Sequence, residues 1–294
     1  MSETVQLPDS VDLVDEPNGP VLRIDHDRAT GEIHLHGAHV TSWAPSGSRD
    51  QLWLSPESEF GPGSAIRGGV PICFPWFAKG PGDWEPQHGF GRRLPWRLHH
   101  AGEDDHGVTI ALRLASSDVP DGTEGRDRWP YEFTAQFSVT FGDTLTLSLT
   151  VANCSDQPMP VGGALHTYLA IPEIERLSVR GLDGVSYQDK VAGGEDEQDG
   201  PITFTGETDR VYAGSGVVVL ADGDTSLGAV RNTGVRHTVV WNPWSAKASA
   251  MPDFPDDGWH GMVCIEAAVP YDAAVVVAPG EKCTFGQQIV PASA

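Results

Sequence analysis

FTAQFSVTFGDTLTLSLTV, residues 133–151, is the stretch that decides the fold class. Phe133, Ala135, Phe137, Val139 and Phe141 alternate with polar residues, and so do Leu145, Leu147, Leu149 and Val151. A period of two puts one set of side chains on each face of a strand. Gly142-Asp143 sits between the two runs as a turn, so the stretch predicts an antiparallel hairpin with one buried face.

Working outward, strand-like runs follow one another almost without a break. On the N-terminal side they cover residues 21–26, 32–43, 51–54, 96–100 and 108–114. On the C-terminal side they cover 160–171, 177–179, 202–204, 217–220, 226–230, 237–241, 262–267, 273–278 and 283–290. No stretch carries a convincing amphipathic-helix pattern. Many short strands separated by Gly/Pro turns predict an all-β chain folded as a large antiparallel β-sandwich. No shift of composition marks a boundary, so residues 20–292 read as one domain. Residues 1–19 read as a loose acidic segment, and 193–200 as an acidic loop whose charges are solvated.

The chain has 294 residues, with 19 Lys and Arg against 41 Asp and Glu, a net charge of -22. Such a balance argues against nucleic acid and anionic membrane surfaces as partners. The N-terminus shows no apolar targeting core and no stretch is long enough to span a membrane, so a cytoplasmic protein is expected. Cys73, Cys154, Cys264 and Cys283 have neither CxxC nor metal-ligand spacing and read as buried free thiols. No histidine is placed in sequence to suggest a base for Cys73. His34 and His36 form an HxH that one exposed strand face also produces, and no coherent metal-ligand cluster is evident.

Against that acidity, residues 67–97 (RGGVPICFPWFAKGPGDWEPQHGFGRRLPWR) hold Arg67, Lys79, Arg92, Arg93 and Arg97 but only Asp83 and Glu85. The Gly and Pro density predicts a long structured loop. Forked arginine donors match a carboxylate or phosphate, and Trp76, Trp84 and Trp96 offer flat apolar faces suited to a sugar ring. An ordinary surface loop with exposed arginines would read the same way. His166 in VGGALHTYLAI and Glu266 in MVCIEAAV are polar groups in apolar strands, and a carboxylate there needs a partner or a purpose. Taken singly, His88 and Asp209 are ambiguous.

The series RGGVPICFPWF, QHGFGR, GALHTY, ETDRVY, VVWNPW and CIEAA, in this order, resembles the hexose-6-phosphate mutarotase branch of the aldose 1-epimerase family. The likeness runs from about residue 21 to 290. It implies the galactose mutarotase-like supersandwich and an isomerase, glucose-6-phosphate 1-epimerase, that needs no cofactor and no metal. Its partner would be a small-molecule sugar phosphate, and its assembly state a monomer or weak homo-oligomer. By the same resemblance His166 matches the general acid and Glu266 the general base. His88 matches a sugar-binding histidine near the ring oxygen, and Asp209 an acid that holds hydroxyls. Arg67 and Arg92 match a phosphate clamp, which Lys79 or Arg93 could extend. Gly91, Leu169 and Ala267 depart from the family pattern, beside the chemical groups and not at them.

Exchanging α and β anomers needs two proton transfers, one from the anomeric hydroxyl to a base and one from an acid to the ring oxygen. That division of labour predicts an ionised Glu266 and a protonated His166, each favouring the other's charge. The alternatives are an epimerase of unphosphorylated aldoses, a non-catalytic sugar-binding module of this fold, and a metal-dependent β-sandwich enzyme.

Overall fold

The computed structural model describes residues 5–292. Phe133–Gly142 and Leu145–Asn153 pair antiparallel from Phe133↔Asn153 to Phe141↔Leu145, with the apolar set of each strand buried. The hairpin lies inside a nine-stranded sheet. From edge to edge that sheet runs Ile202–Thr203, Leu177–Arg180, Val217–Asp222, Thr225–Thr233, Lys282–Pro291, Leu145–Asn153, Phe133–Gly142, Gly107–Ala115, Arg97–Asp104. A second, eight-stranded sheet runs Glu195–Glu197, Ser186–Asp189, Thr208–Tyr212, His237–Asn242, Met262–Val269, Gly163–Leu165, Ile72–Cys73, with Tyr168–Ala170 also paired to Met262–Val269. The named strand pairs are antiparallel, as a sandwich built from alternating runs requires.

Buried polar side chains stitch the two sheets together. Gln287 in the first sheet donates to the Ile265 carbonyl at 2.9 Å and accepts from the Thr167 hydroxyl at 2.6 Å. Asn232 donates to the Glu266 carbonyl at 3.0 Å, and Gln287 donates in turn to the Asn232 side-chain oxygen at 2.8 Å. Each of these groups is buried and finds a partner, which avoids the cost of an orphaned polar atom.

Several expectations need correcting. Val11–Glu16 is not loose: it pairs residue for residue with Gly19–His26, only Val11 being buried, while Asp12 and Asp15 are exposed. Exposed acids on an edge strand do not oppose backbone pairing, and positive φ at Gly19 closes the turn. Residues 1–4 lie outside the described residues. The run at 32–43 divides into Ala29–His34 and His39–Pro45, because Gly37 and Ala38 adopt positive φ where the chain meets Arg92. The run at 160–171 becomes three short strands that change partner, from Val275–Val277 to Met262–Val269. Glu195–Glu197, within the expected acidic loop, is the edge strand of the second sheet. One short helix, Trp244–Ala248, joins the 3₁₀ turns among the described residues.

Candidate active site

Strand pairing brings the two proposed proton carriers together. Gly163–Leu165 and Tyr168–Ala170 both run antiparallel to Met262–Val269, with Leu165 opposite Ala267 and Tyr168 opposite Cys264. His166 therefore faces Glu266 across the strand pair, on the same side of the sheet. Their side chains meet at 3.5 Å between Nε2 and Oε1. The adjacent residues Thr167 and Ile265 point the other way, into the Gln287 network, so both carriers are pinned from behind.

His166 and Glu266 open onto a cleft of about 930 Å³, which Arg67, His88, Arg92 and Asp209 also line. All six residues singled out in the sequence thus share one cavity. Lys79 lines it as well, whereas Arg93 turns away to Glu124 at 3.4 Å.

His88 sits at positive φ (68°), and the Ala78 backbone N–H donates to its Nδ1 at 3.2 Å. In the neutral ring that bond places the proton on Nε2, which makes His88 a hydrogen-bond donor. Burial, with Arg92, His166 and Arg67 nearby, holds His88 well below the ordinary histidine value. The structure also places a histidine beside Cys73, contrary to the sequence expectation, with Nδ1 3.3 Å from Sγ. That nitrogen already accepts from Ala78, and burial pushes the Cys73 thiol up, so the pair does not form an activated nucleophile.

The two arginines differ. Arg67 donates from Nε to Asp253 Oδ2 at 3.1 Å and from Nη1 to the Tyr168 hydroxyl at 3.1 Å, and its Nη2 lies in ion-pair contact with the same Oδ2 at 3.1 Å. Two of its five N–H groups are therefore engaged in hydrogen bonds. Arg92 donates from Nη2 to the Gln87 carbonyl at 3.0 Å. Its buried Nε finds no acceptor, and no ion pair involves it among the described residues. An arginine stays protonated even where burial lowers its pKa, so Arg92 presents a net positive charge to the cleft.

The expected charge states of the carriers do not survive burial. Burial, then the neighbouring Arg92 and Arg67, bring His166 down to about 3. Burial and then Asp209 raise Glu266 well above the carboxylate range, Arg92 opposing. Asp209 is itself raised, mainly by burial. Removing both groups from water outweighs their attraction at 3.5 Å. The pair therefore holds one proton in its neutral form, on Glu266, and that proton can cross to His166 without changing the total.

Asp253, Tyr168, Asn232 and Gln287 were not singled out from the sequence. Tyr168 lies inside the quoted GALHTY motif, but its contact with Arg67 depends on the fold. Among the described residues, the only group of His, Cys, Asp or Glu spaced for a metal ion is Glu173, Glu175 and His260. None of the three lines the cleft. Among the described residues no helix is long and apolar enough to cross a membrane.

A profile of the family described as Aldose 1-epimerase matches residues 20–290. The chain is similar to a protein of Escherichia coli (strain K12) provisionally named glucose-6-phosphate 1-epimerase. The identity is 37%, over 84% of this chain and 82% of that one. The crystal structure of a provisionally assigned mutarotase from Salmonella typhimurium superposes with a TM-score of 0.89 at 32% identity, covering 99% of this chain and 96% of that one. A galactose mutarotase related enzyme from Lactobacillus acidophilus shares the fold, with a TM-score of 0.71 at 17% identity over 92% of this chain and 97% of that one.

Proposed function

Since this chain belongs to the aldose 1-epimerase family, we propose that it interconverts the α and β anomers of a hexose 6-phosphate, glucose 6-phosphate first among them. The observation that carries the reading is the buried His166–Glu266 pair beside Arg92, which has no ion-pair partner among the described residues, all in one cleft. In the productive tautomer Glu266 is the carboxylate and His166 the imidazolium. Glu266 takes the proton from the anomeric hydroxyl while His166 gives its own to the ring oxygen, and the ring opens to the aldehyde. After rotation about the first carbon–carbon bond the same transfers run backwards. Both groups end as they began, and no electrons change hands. His88 donates from Nε2 toward the ring oxygen, Asp209 accepts from hydroxyls, and Arg92 with Arg67 holds the phosphate. A phosphate remote from the reacting carbon then supplies binding energy that orients the ring.

The direct test is polarimetry of freshly dissolved α-glucose 6-phosphate, with glucose as the comparison. The protein should accelerate mutarotation of the phosphorylated sugar far more efficiently. Equal efficiency on both sugars would favour an epimerase of unphosphorylated aldoses, and no acceleration of either would favour a binding module.

The one-proton pair also predicts a pH profile. A group whose folded pKa is depressed keeps its neutral form above that value and gains its proton only as pH falls through it. Activity toward glucose, which has no group titrating in this range, should therefore hold as pH falls through the ordinary histidine value of 6.5. It should fail only well below that, as Asp209, raised by burial, takes up its proton and as a second proton enters the pair toward about 3. An acid limb centred near 6.5 would show that His166 titrates as an ordinary histidine and that the proton is not shared.

A further inference from the structure

We propose that Tyr168 is a positioning residue that holds the arginine at the phosphate end and the acid in register, through two separable contacts of one side chain. This rests on the roles given above to Arg67 and His166. His166 and Tyr168 stand two apart along the chain and so project to one side. Their rings stack at 4.9 Å between centroids with an interplanar angle of 11°. The other end of Tyr168, its hydroxyl, accepts from Arg67 Nη1 at 3.1 Å. Its side chain therefore touches both machineries at once while itself being only 1% exposed.

The surroundings leave Tyr168 little freedom. Trp53 stacks with the Tyr168 ring at 5.8 Å and 20°, and Trp241 meets it edge-on at 5.9 Å. Trp53 in turn packs on Phe254 at 4.7 Å, next to the Asp253 that grips Arg67. The result is a column, His166–Tyr168–Trp53–Phe254, whose far end carries the second anchor of Arg67. The backbone repeats the link, since Tyr168 N–H donates to the Gly69 carbonyl at 2.9 Å and Trp53 N–H to the Tyr168 carbonyl at 3.0 Å. Gly69 belongs to the same turn as Arg67. Gly68 and Gly69 adopt positive φ there, and an added Cβ would come within 2.5 Å of the Trp53 carbonyl or 2.2 Å of the Val40 carbonyl. A turn so tightly packed transmits little slack between its arginine and the strand that carries the acid.

Chemistry gives the ring a role beyond spacing. During the reaction His166 alternates between imidazole and imidazolium, and an aromatic face stacked on it stabilises the cationic form while fixing its plane. The hydroxyl does something different: by accepting from Nη1 it fixes the orientation of the guanidinium and so of its remaining N–H groups.

The test uses the full chain, with steady-state mutarotation of glucose 6-phosphate and glucose by wild type, Tyr168→Phe and Tyr168→Leu. Tyr168→Phe keeps the ring and removes the acceptor. It should raise KM for glucose 6-phosphate by about three- to tenfold, with kcat within roughly twofold, because one charged hydrogen bond is lost while Asp253 still holds Arg67. Tyr168→Leu removes the ring as well and should lower kcat for both sugars by about tenfold or more, the scale of an acid left misoriented. The phenylalanine variant thereby rescues kcat relative to leucine. A second measurement stands independent of how well the leucine variant folds. The His166 ring protons should be shifted upfield by the stacked ring in the NMR spectra of both wild type and Tyr168→Phe. The proposal is overturned if Tyr168→Phe leaves KM for glucose 6-phosphate at the wild-type value or lowers kcat as far as leucine does. It is also overturned if leucine preserves kcat or the ring shift is absent. If wild type fails to act on glucose 6-phosphate, the functional reading falls instead, and the ring shift still tests the stack.

Discussion

The Glu266→Gln protein should fold as wild type does and turn over glucose 6-phosphate roughly 10²–10⁴-fold more slowly, the range a single general acid or base contributes. Glutamine keeps the shape of the side chain and can neither take the anomeric proton nor store the proton shared with His166. Stability should be little affected, because burial already favours the uncharged acid and glutamine is likewise neutral. His166→Ala should lower kcat by a similar factor, since the ring oxygen then lacks its proton donor. It should also lower the melting temperature, by opening space between Tyr168 and Trp241. The two losses should not add in the double variant, because one proton serves both residues. Stopped polarimetry with a dehydrogenase specific for the β anomer measures all three. Near wild-type mutarotation by either single variant would remove that residue from the mechanism.

Arg92→Ala should raise KM for glucose 6-phosphate by about ten- to a hundredfold, the worth of a charged hydrogen bond of roughly 1.5–3 kcal/mol. Its effect on glucose should be much smaller, since that sugar carries no anion. Arg67→Ala should also weaken the phosphorylated substrate, but with a different signature. Two of the Arg67 donors are already taken by Asp253 and Tyr168, and its Nη2 also lies against Asp253, so less of its hydrogen-bonding capacity remains for a ligand. Removing it also strands the Asp253 carboxylate, so Arg67→Ala should lose more thermal stability than Arg92→Ala. Arg92 leaves no such orphan behind, because its recorded partner is the Gln87 carbonyl. Added salt should weaken glucose 6-phosphate selectively in wild type and less so in Arg92→Ala, since screening acts through the charge that has been deleted. Equal loss of both sugars in Arg92→Ala would mean that the arginine supports the loop and does not read the phosphate.

Period-two alternation is a local property, and wherever it is clean the chain follows it. The hairpin at 133–151, the run at 108–114 and the strands near 217–230 lie where the alternation puts them. The antiparallel sandwich follows from such runs and their short turns. The six candidate site residues were legible only because ordered motifs carried them, since each alone has an ordinary structural reading.

What the residues by themselves determined is the strand content, the acidic surround with its basic loop, and the types of group available for proton transfer. Tertiary structure decided who meets whom and in what charge state. His166 opposes Glu266 because two broken strands share a register with Met262–Val269, a pairing no local pattern encodes. Val11–Glu16 looks loose by its acids alone and becomes a strand because Gly19–His26 offers it an edge. Among the described residues Arg92 lacks an ion-pair partner, and Arg67 is tied because of where Asp253 and Tyr168 fall in space. Opposite charges on His166 and Glu266 are the natural inference from their roles, and burial reverses it. The reason is common to all four cases. Pattern along a chain reports which face a side chain takes, whereas partners and the dielectric around a charge are sums over groups distant in sequence.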